Sequence, residues 1–180
     1  MPPPKKKKTG LIIGIVLGVF ALLVIGFVIL LAVLGMSVEE YQEPVENWME
    51  AIEENDVDMM YDTYYEDMWE DLNYTETMVK NDLQYAIDTF TEDIEDEIGD
   101  SYNVYPEYGD ITEYDDERIE EFTEELEAIG VYGIEIEAAY EIEATLKAES
   151  DGYYAESDEL TFVVVQVDGE WSIIEIRGLA

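Results

Sequence analysis

From Leu11 to Leu34 the chain runs for 24 residues without a charge, "LIIGIVLGVFALLVIGFVILLAVL", directly after Lys5, Lys6, Lys7 and Lys8. As a helix this run reaches about 36 Å, enough to cross a hydrocarbon core of roughly 30 Å with some tilt. A cleaved signal peptide fits less well, because its apolar region is typically about 7–15 residues and "LAVLGMS" makes a poor small-x-small cleavage site. The chain contains no cysteine, which excludes a lipoprotein anchor. The expected organisation is a basic tail over 1–10, a transmembrane helix over 11–35 and a separate domain over 36–180.

The four lysines keep their end of the span in the cytoplasm by the positive-inside rule. The expectation is therefore a single-pass protein of the cell membrane with its C-terminal domain outside. Binding of anionic headgroups is a further use for the lysines, but topology alone explains them. Within the span, Gly10, Gly14, Gly18 and Gly26 fall at multiples of four, a stripe that lets two helices approach closely and suits a homodimer. Leu22 interrupts the series, and glycine is common in membrane helices in any case.

All 46 acidic side chains follow the span, against four basic ones, Lys80, Arg118, Lys147 and Arg177. The domain thus carries a formal charge of −42 within a whole-chain charge of −38. Nucleic acid is excluded as a partner, since such affinity comes mainly from basic side chains neutralising phosphates. Cationic proteins, basic peptides and divalent ions remain as partners. The alternative is a solvated coat that keeps the domain soluble where salt screens repulsion beyond about 8 Å. Disorder does not fit, because Trp48, Trp69, Trp171, fourteen tyrosines and long periodic stretches call for a packed core.

Ser37 with Glu40 forms a possible capping box, and Pro44 suits the first turn of a helix from about Glu43 to Glu54. Asn55-Asp56 reads as a break and a new cap, followed by a helix from about Val57 to Leu72. A third opens near Thr75 with the stripe Val79, Leu83, Ala86, Ile87, Phe90, Ile94 and Ile98, and Gly99 stops it. Residues 101–114 read as extended, with Pro106 marking an edge strand or bulge. Asp115-Asp116 caps a short helix burying Ile119, Phe122, Leu126 and Ile129. The period then changes from near 3.6 to 2, and from Ile134 to Ala148 each even position is apolar or alanine, a long half-exposed strand or one strand bent at Ala138-Ala139. "ESDGYYAESDE" turns the chain. Asp168-Gly169 then closes a type I′ hairpin in which Val167 pairs with Glu170, Val164 with Ile173 and Gln166 with Trp171.

Helices followed by consecutive antiparallel strands predict an α+β domain with the helices packed on one face of a curved sheet. The element order, "IEEFTEELEAIGVYGIEIEAAYEIEATLKAESDG" and the closing "VVVQVDGEWSIIEI" resemble extracytoplasmic domains of Gram-positive membrane proteins and lipoproteins. Those domains are of the cone-shaped, cystatin-like superfamily of nuclear transport factor two and ketosteroid isomerase. The resemblance spans about residues 40–178. It implies a cone of helices on a curved antiparallel sheet, and for the isomerase members a buried Asp and Tyr, for which no matching motif is found here.

Neither histidine nor cysteine occurs, which removes Ser-His and Cys-His pairs, imidazole bases and the usual zinc, copper and haem ligands. No phosphate-binding glycine loop or serine elbow is found. The sequence therefore calls for no catalytic residues and no cofactor. Asp56 with Asp58, and Glu141 with Glu143, are the carboxylate pairs best placed for a hard cation, though no stretch has calcium-loop spacing. Tyr61, Tyr64, Tyr65, Trp69, Phe162 and Trp171 are candidates to line an apolar pocket, or else they form the core between helices and sheet. Tyr102, Tyr105, Tyr108 and Tyr114 are expected to be exposed to a protein or peptide partner. These readings favour a membrane-anchored, non-enzymatic binding domain, with a cation-responsive sensor and an isomerase- or dehydratase-type enzyme as alternatives.

Overall fold

The computed structural model describes residues 39–178. Among these no helix is long and apolar enough to cross a membrane. The expected span over 11–35, its glycine stripe and the Ser37 cap lie outside the described residues.

After a 3₁₀ turn at Glu40–Gln42, helix α1 (Glu43–Glu54) carries Pro44 in its first turn, where no intrahelical N–H is lost. It buries Val45, Trp48, Met49 and Ile52. Asn55, at φ 53°, ends it, and the Asp56 carboxylate starts α2 (Val57–Asp62) by accepting the N–H groups of Asp58 and Met59, both at 3.0 Å. The single helix expected from Val57 to Leu72 is instead two, α2 and α3 (Glu66–Asp71). The edge of the sheet breaks it. Ile173 donates its N–H to the Thr63 carbonyl at 2.8 Å and accepts the Tyr65 N–H at 3.0 Å, so Tyr64 forms a short parallel bridge. Tyrosines suit a strand as well as a helix, and apolar spacing alone does not separate the two.

Helix α4 (Glu76–Ile98) is capped by the Thr75 hydroxyl and buries Val79, Ile87 and Ile94. Strand β1 (Asn103–Glu113) is an edge, consistent with Pro106, and bulges between Tyr108 and Ile111. Asp115 caps helix α5 (Asp116–Ile129) by accepting the Arg118 N–H at 2.9 Å. Of its expected stripe, Phe122 and Leu126 are buried and Ile119 is half-buried, whereas Ile129 is 62% exposed. The helix ends at that point, so no following turn covers Ile129.

The remaining strands, β2 (Ala138–Ser150), β3 (Tyr153–Val167) and β4 (Glu170–Arg177), complete an antiparallel meander in the order β1-β2-β3-β4. The closing hairpin has the expected register, with Val167 on Glu170, Gln166 on Trp171 and Val164 on Ile173. Asp168 and Gly169 both take positive φ, 53° and 80°. β2 begins at Ala138 rather than Ile134. Of "ESDGYYAESDE", Asp151-Gly152 makes the turn and Tyr153 onward is already strand.

The helices do not share one face of the sheet, as the sequence suggested. Ile142, Ala144, Leu146, Phe162, Val164 and Ile173 form one core with α1, α2 and α4. Ala139, Val163, Val165 and Ile174 point the other way, into a second core with Met68 of α3, Phe122 and Leu126 of α5, and Val131 and Ile134. The unbroken run Phe162-Val163-Val164-Val165, buried at every residue, is the sequence mark of a strand covered on both faces.

Candidate functional site

The six aromatic candidates are spread over both cores and do not enclose a common cavity. Phe162 is fully buried, and the Trp48 ring stands edge-on to it at 5.4 Å and to Phe90 at 5.7 Å. The Trp48 indole donates to the Tyr64 hydroxyl at 3.2 Å. Burial pushes the Tyr64 phenol up to about 12, with the Trp48 hydrogen bond pulling weakly the other way. Tyr61 lies buried beneath the Lys80 ammonium, 4.8 Å from its ring centre. Tyr65 and Trp69 belong to the second core, and Trp171 packs on Tyr41 and Tyr140 at the rim of the first. Among the tyrosines expected to be exposed, Tyr105 is; Tyr102 and Tyr108 are half-buried, and Tyr114 is buried, donating to Glu141 at 3.0 Å. Each of these lies on an ordered strand or just beside one, where alternation turns some side chains inward.

The four candidate metal ligands already have protein partners. Asp56 is a helix cap, Asp58 pairs with Lys80 at 2.7 Å, and Glu141 binds Arg177 at 2.9 Å as well as Tyr114. Glu143 accepts the Asp110 N–H at 3.4 Å, at the β1 bulge. Among the described residues no three carboxylates converge in a metal-holding group. Every cation of the domain is neutralised as well: Lys80 by Asp58 and Glu76, Arg118 by Glu121 and Glu125, Lys147 by Glu107 and Glu156, and Arg177 by Glu141 and Glu175. Such exposed pairs are each worth only about 0.2–1 kcal/mol. Their consequence is electrostatic, because they leave the rest of the surface purely acidic.

Tyrosines apart, Thr63 is the one polar side chain buried among the described residues, and its hydroxyl donates to the Met60 carbonyl at 2.7 Å. No carboxylate is buried with it. Glu46, one of several half-buried carboxylates, has its pKa raised by desolvation, then by Glu43 and Glu50.

Open apolar surface lies elsewhere. Between the second half of α4 and the β2–β3 hairpin runs a groove of about 510 Å³. Ile94, Leu146, Ala155 and Leu160 are its buried floor, and Tyr85, Ala86 and Phe90 leave apolar surface open along the helix side. Tyr85, 75% exposed, stands at its lip with Asp93, Glu97 and Asp158. A bulge shapes the sheet wall, since Thr145 pairs with Glu159 but Lys147 with Glu156, giving β3 one extra residue. There the Leu146 N–H donates to Ser157 Oγ at 3.1 Å, and the Ser157 hydroxyl to the Asp158 carbonyl at 2.6 Å. Sequence reasoning missed this groove because the α4 stripe looks the same whether covered or open, and because "YYAESDE" reads as a turn.

The chain matches no protein-family model, no curated protein and no solved structure.

Proposed function

We propose that this is a single-pass membrane protein whose acidic domain over 36–180 stands outside the membrane and binds a partner without catalysing a reaction. The observation that carries this reading is the distribution of space. The interior is filled by Trp48, Phe162 and Tyr64, while Tyr85, Ala86 and Phe90 leave apolar surface in the groove beside α4. An isomerase or dehydratase needs a deep pocket holding a carboxylate of raised pKa. Its nearest candidate, Glu46, has a raised pKa but is half-buried on α1.

Four helices before a four-stranded antiparallel sheet, and a fifth between its first two strands, support placing the domain with the cone-shaped nuclear transport factor two-like folds of Gram-positive extracytoplasmic proteins. In this reading the acid coat favours cationic proteins or ions over nucleic acid. A cation-responsive sensor remains the second reading, favoured by carboxylates that outnumber their cations so heavily.

Photo-cross-linkers placed at exposed positions such as Tyr85 and Tyr132, in intact cells expressing the full chain, test the proposal. A discrete, reproducible adduct is expected from at least one position. No adduct from any exposed position would contradict it.

A further inference from the structure

Strand β4 pairs with β3 from Thr161 to Val167 and ends at Arg177, opposite Thr161. From Tyr153 to Asp158, the side of β3 turned away from β2 therefore faces no strand among the described residues, over about 20 Å. Gly178 closes the end of β4 against this strand, where a Cβ would meet the Glu159 carbonyl oxygen at 2.7 Å. The unpaired length thus begins where β4 stops, and it forms one wall of the groove beside α4. Such an edge is a row of backbone donors and acceptors that one more strand can complete. A strand added here would lay alternate side chains on the apolar groove, the arrangement by which strand addition gains both affinity and specificity.

Charge specifies the occupant. Asp93 and Glu97 on the α4 side, and Asp158 and Glu159 on β3, have no ion-pair partner among the described residues; Glu156 shares Lys147 with Glu107. An acidic segment is repelled from this edge, and a basic one is drawn to it. Resting on the reading of the domain as a binding module, we infer that the groove takes an extended segment of a partner protein that alternates lysine or arginine with aliphatic residues. It adds as a strand along Tyr153 to Asp158. Its aliphatic side chains cover Tyr85, Ala86 and Phe90, and its basic ones meet the carboxylates of β3 and α4.

The test uses the full chain in non-ionic micelles and a capped nine-residue peptide of alternating lysine and valine. A control peptide of the same sequence is methylated at every backbone nitrogen, which keeps the charge but removes strand pairing. Saturable one-to-one binding is expected, at least ten-fold weaker for the methylated peptide. Exchange of those amides of residues 153–158 that point away from β2 should slow at least ten-fold on binding. Combining Asp93→Asn, Glu97→Gln and Asp158→Asn should weaken binding at least five-fold, whereas combining Glu117→Gln, Glu120→Gln and Glu124→Gln on α5 should not. Equal binding of the methylated peptide, or equal loss from the α5 variant, would overturn the inference in favour of attraction to the acid coat. Protection, before peptide is added, of those amides of residues 153–158 that point away from β2 would overturn it too, because the chain itself would then cover the edge. If the peptide fails while an in-cell adduct still forms from Tyr132, this inference falls and the binding reading stands; if no position yields an adduct, the reading itself falls.

Discussion

The Trp48 indole N–H reaches the Tyr64 hydroxyl at 3.2 Å, joining helix α1 to the segment that docks on the edge of β4. Their contact lies in the core between helices and sheet. Tyr64→Phe removes the acceptor and leaves a buried donor, which costs about 1–3 kcal/mol. Phe162→Ala leaves a cavity beside Trp48 and costs about 3–5 kcal/mol. Urea unfolding of the full chain in micelles should show both losses, and Trp48→Phe combined with Tyr64→Phe should cost less than the sum of the single changes.

Alkaline pH should unfold the domain partly through its tyrosines. The folded-state value of Tyr64 is raised to about 12, against about 10 in the unfolded chain. Its contribution to stability is therefore complete below about pH 10 and is lost as pH rises toward about 12. Burial raises Tyr108 in the same direction, with the charge of Glu46 adding to it. Tyr64→Phe should lessen the fall in stability across this window. A Tyr64 that ionises near pH 10 in the folded chain, seen by ultraviolet titration, would contradict the burial assigned to it.

Ser157 supplies the acceptor for the Leu146 N–H at the β3 bulge. Ser157→Ala should cost about 1–2 kcal/mol and speed exchange of the Leu146 amide. Unchanged exchange would mean that the bulge holds without the hydroxyl.

Elements whose local chemistry and tertiary setting agree were legible in the sequence. Pro44, Asn55, Asp56, Thr75, Gly99 and Asp115 bound their helices as their side chains and backbone preferences dictate. Asp168-Gly169 fixes the register of the hairpin because both residues accept positive φ. The break at Thr63 to Tyr65 was not legible, because it depends on Ile173, more than a hundred residues away in the chain. The second core had a sign in Phe162 to Val165, but which helix would cover it is a matter of topology. Of the candidate site, residue types and charge were readable, while Asp58 and Glu141 meet their cations only through long-range packing.

The acid coat should make stability depend on ionic strength. With 46 carboxylates against four internally paired cations, raising NaCl should raise the thermal midpoint. Matched ionic strengths of NaCl, MgCl₂ and CaCl₂ should give the same midpoint if screening alone acts. A saturable rise specific to calcium would favour the sensor reading.

The placement of the domain is tested most directly by thiol labelling in intact cells, which the absence of native cysteine makes clean. Ser101→Cys lies on the exposed turn between α4 and β1, and Thr9→Cys lies beside the lysines. A membrane-impermeant maleimide is expected to label Ser101→Cys in intact cells, and Thr9→Cys only after lysis. Labelling of Thr9→Cys in intact cells, with Ser101→Cys protected until lysis, would reverse the topology and contradict an extracytoplasmic binding domain.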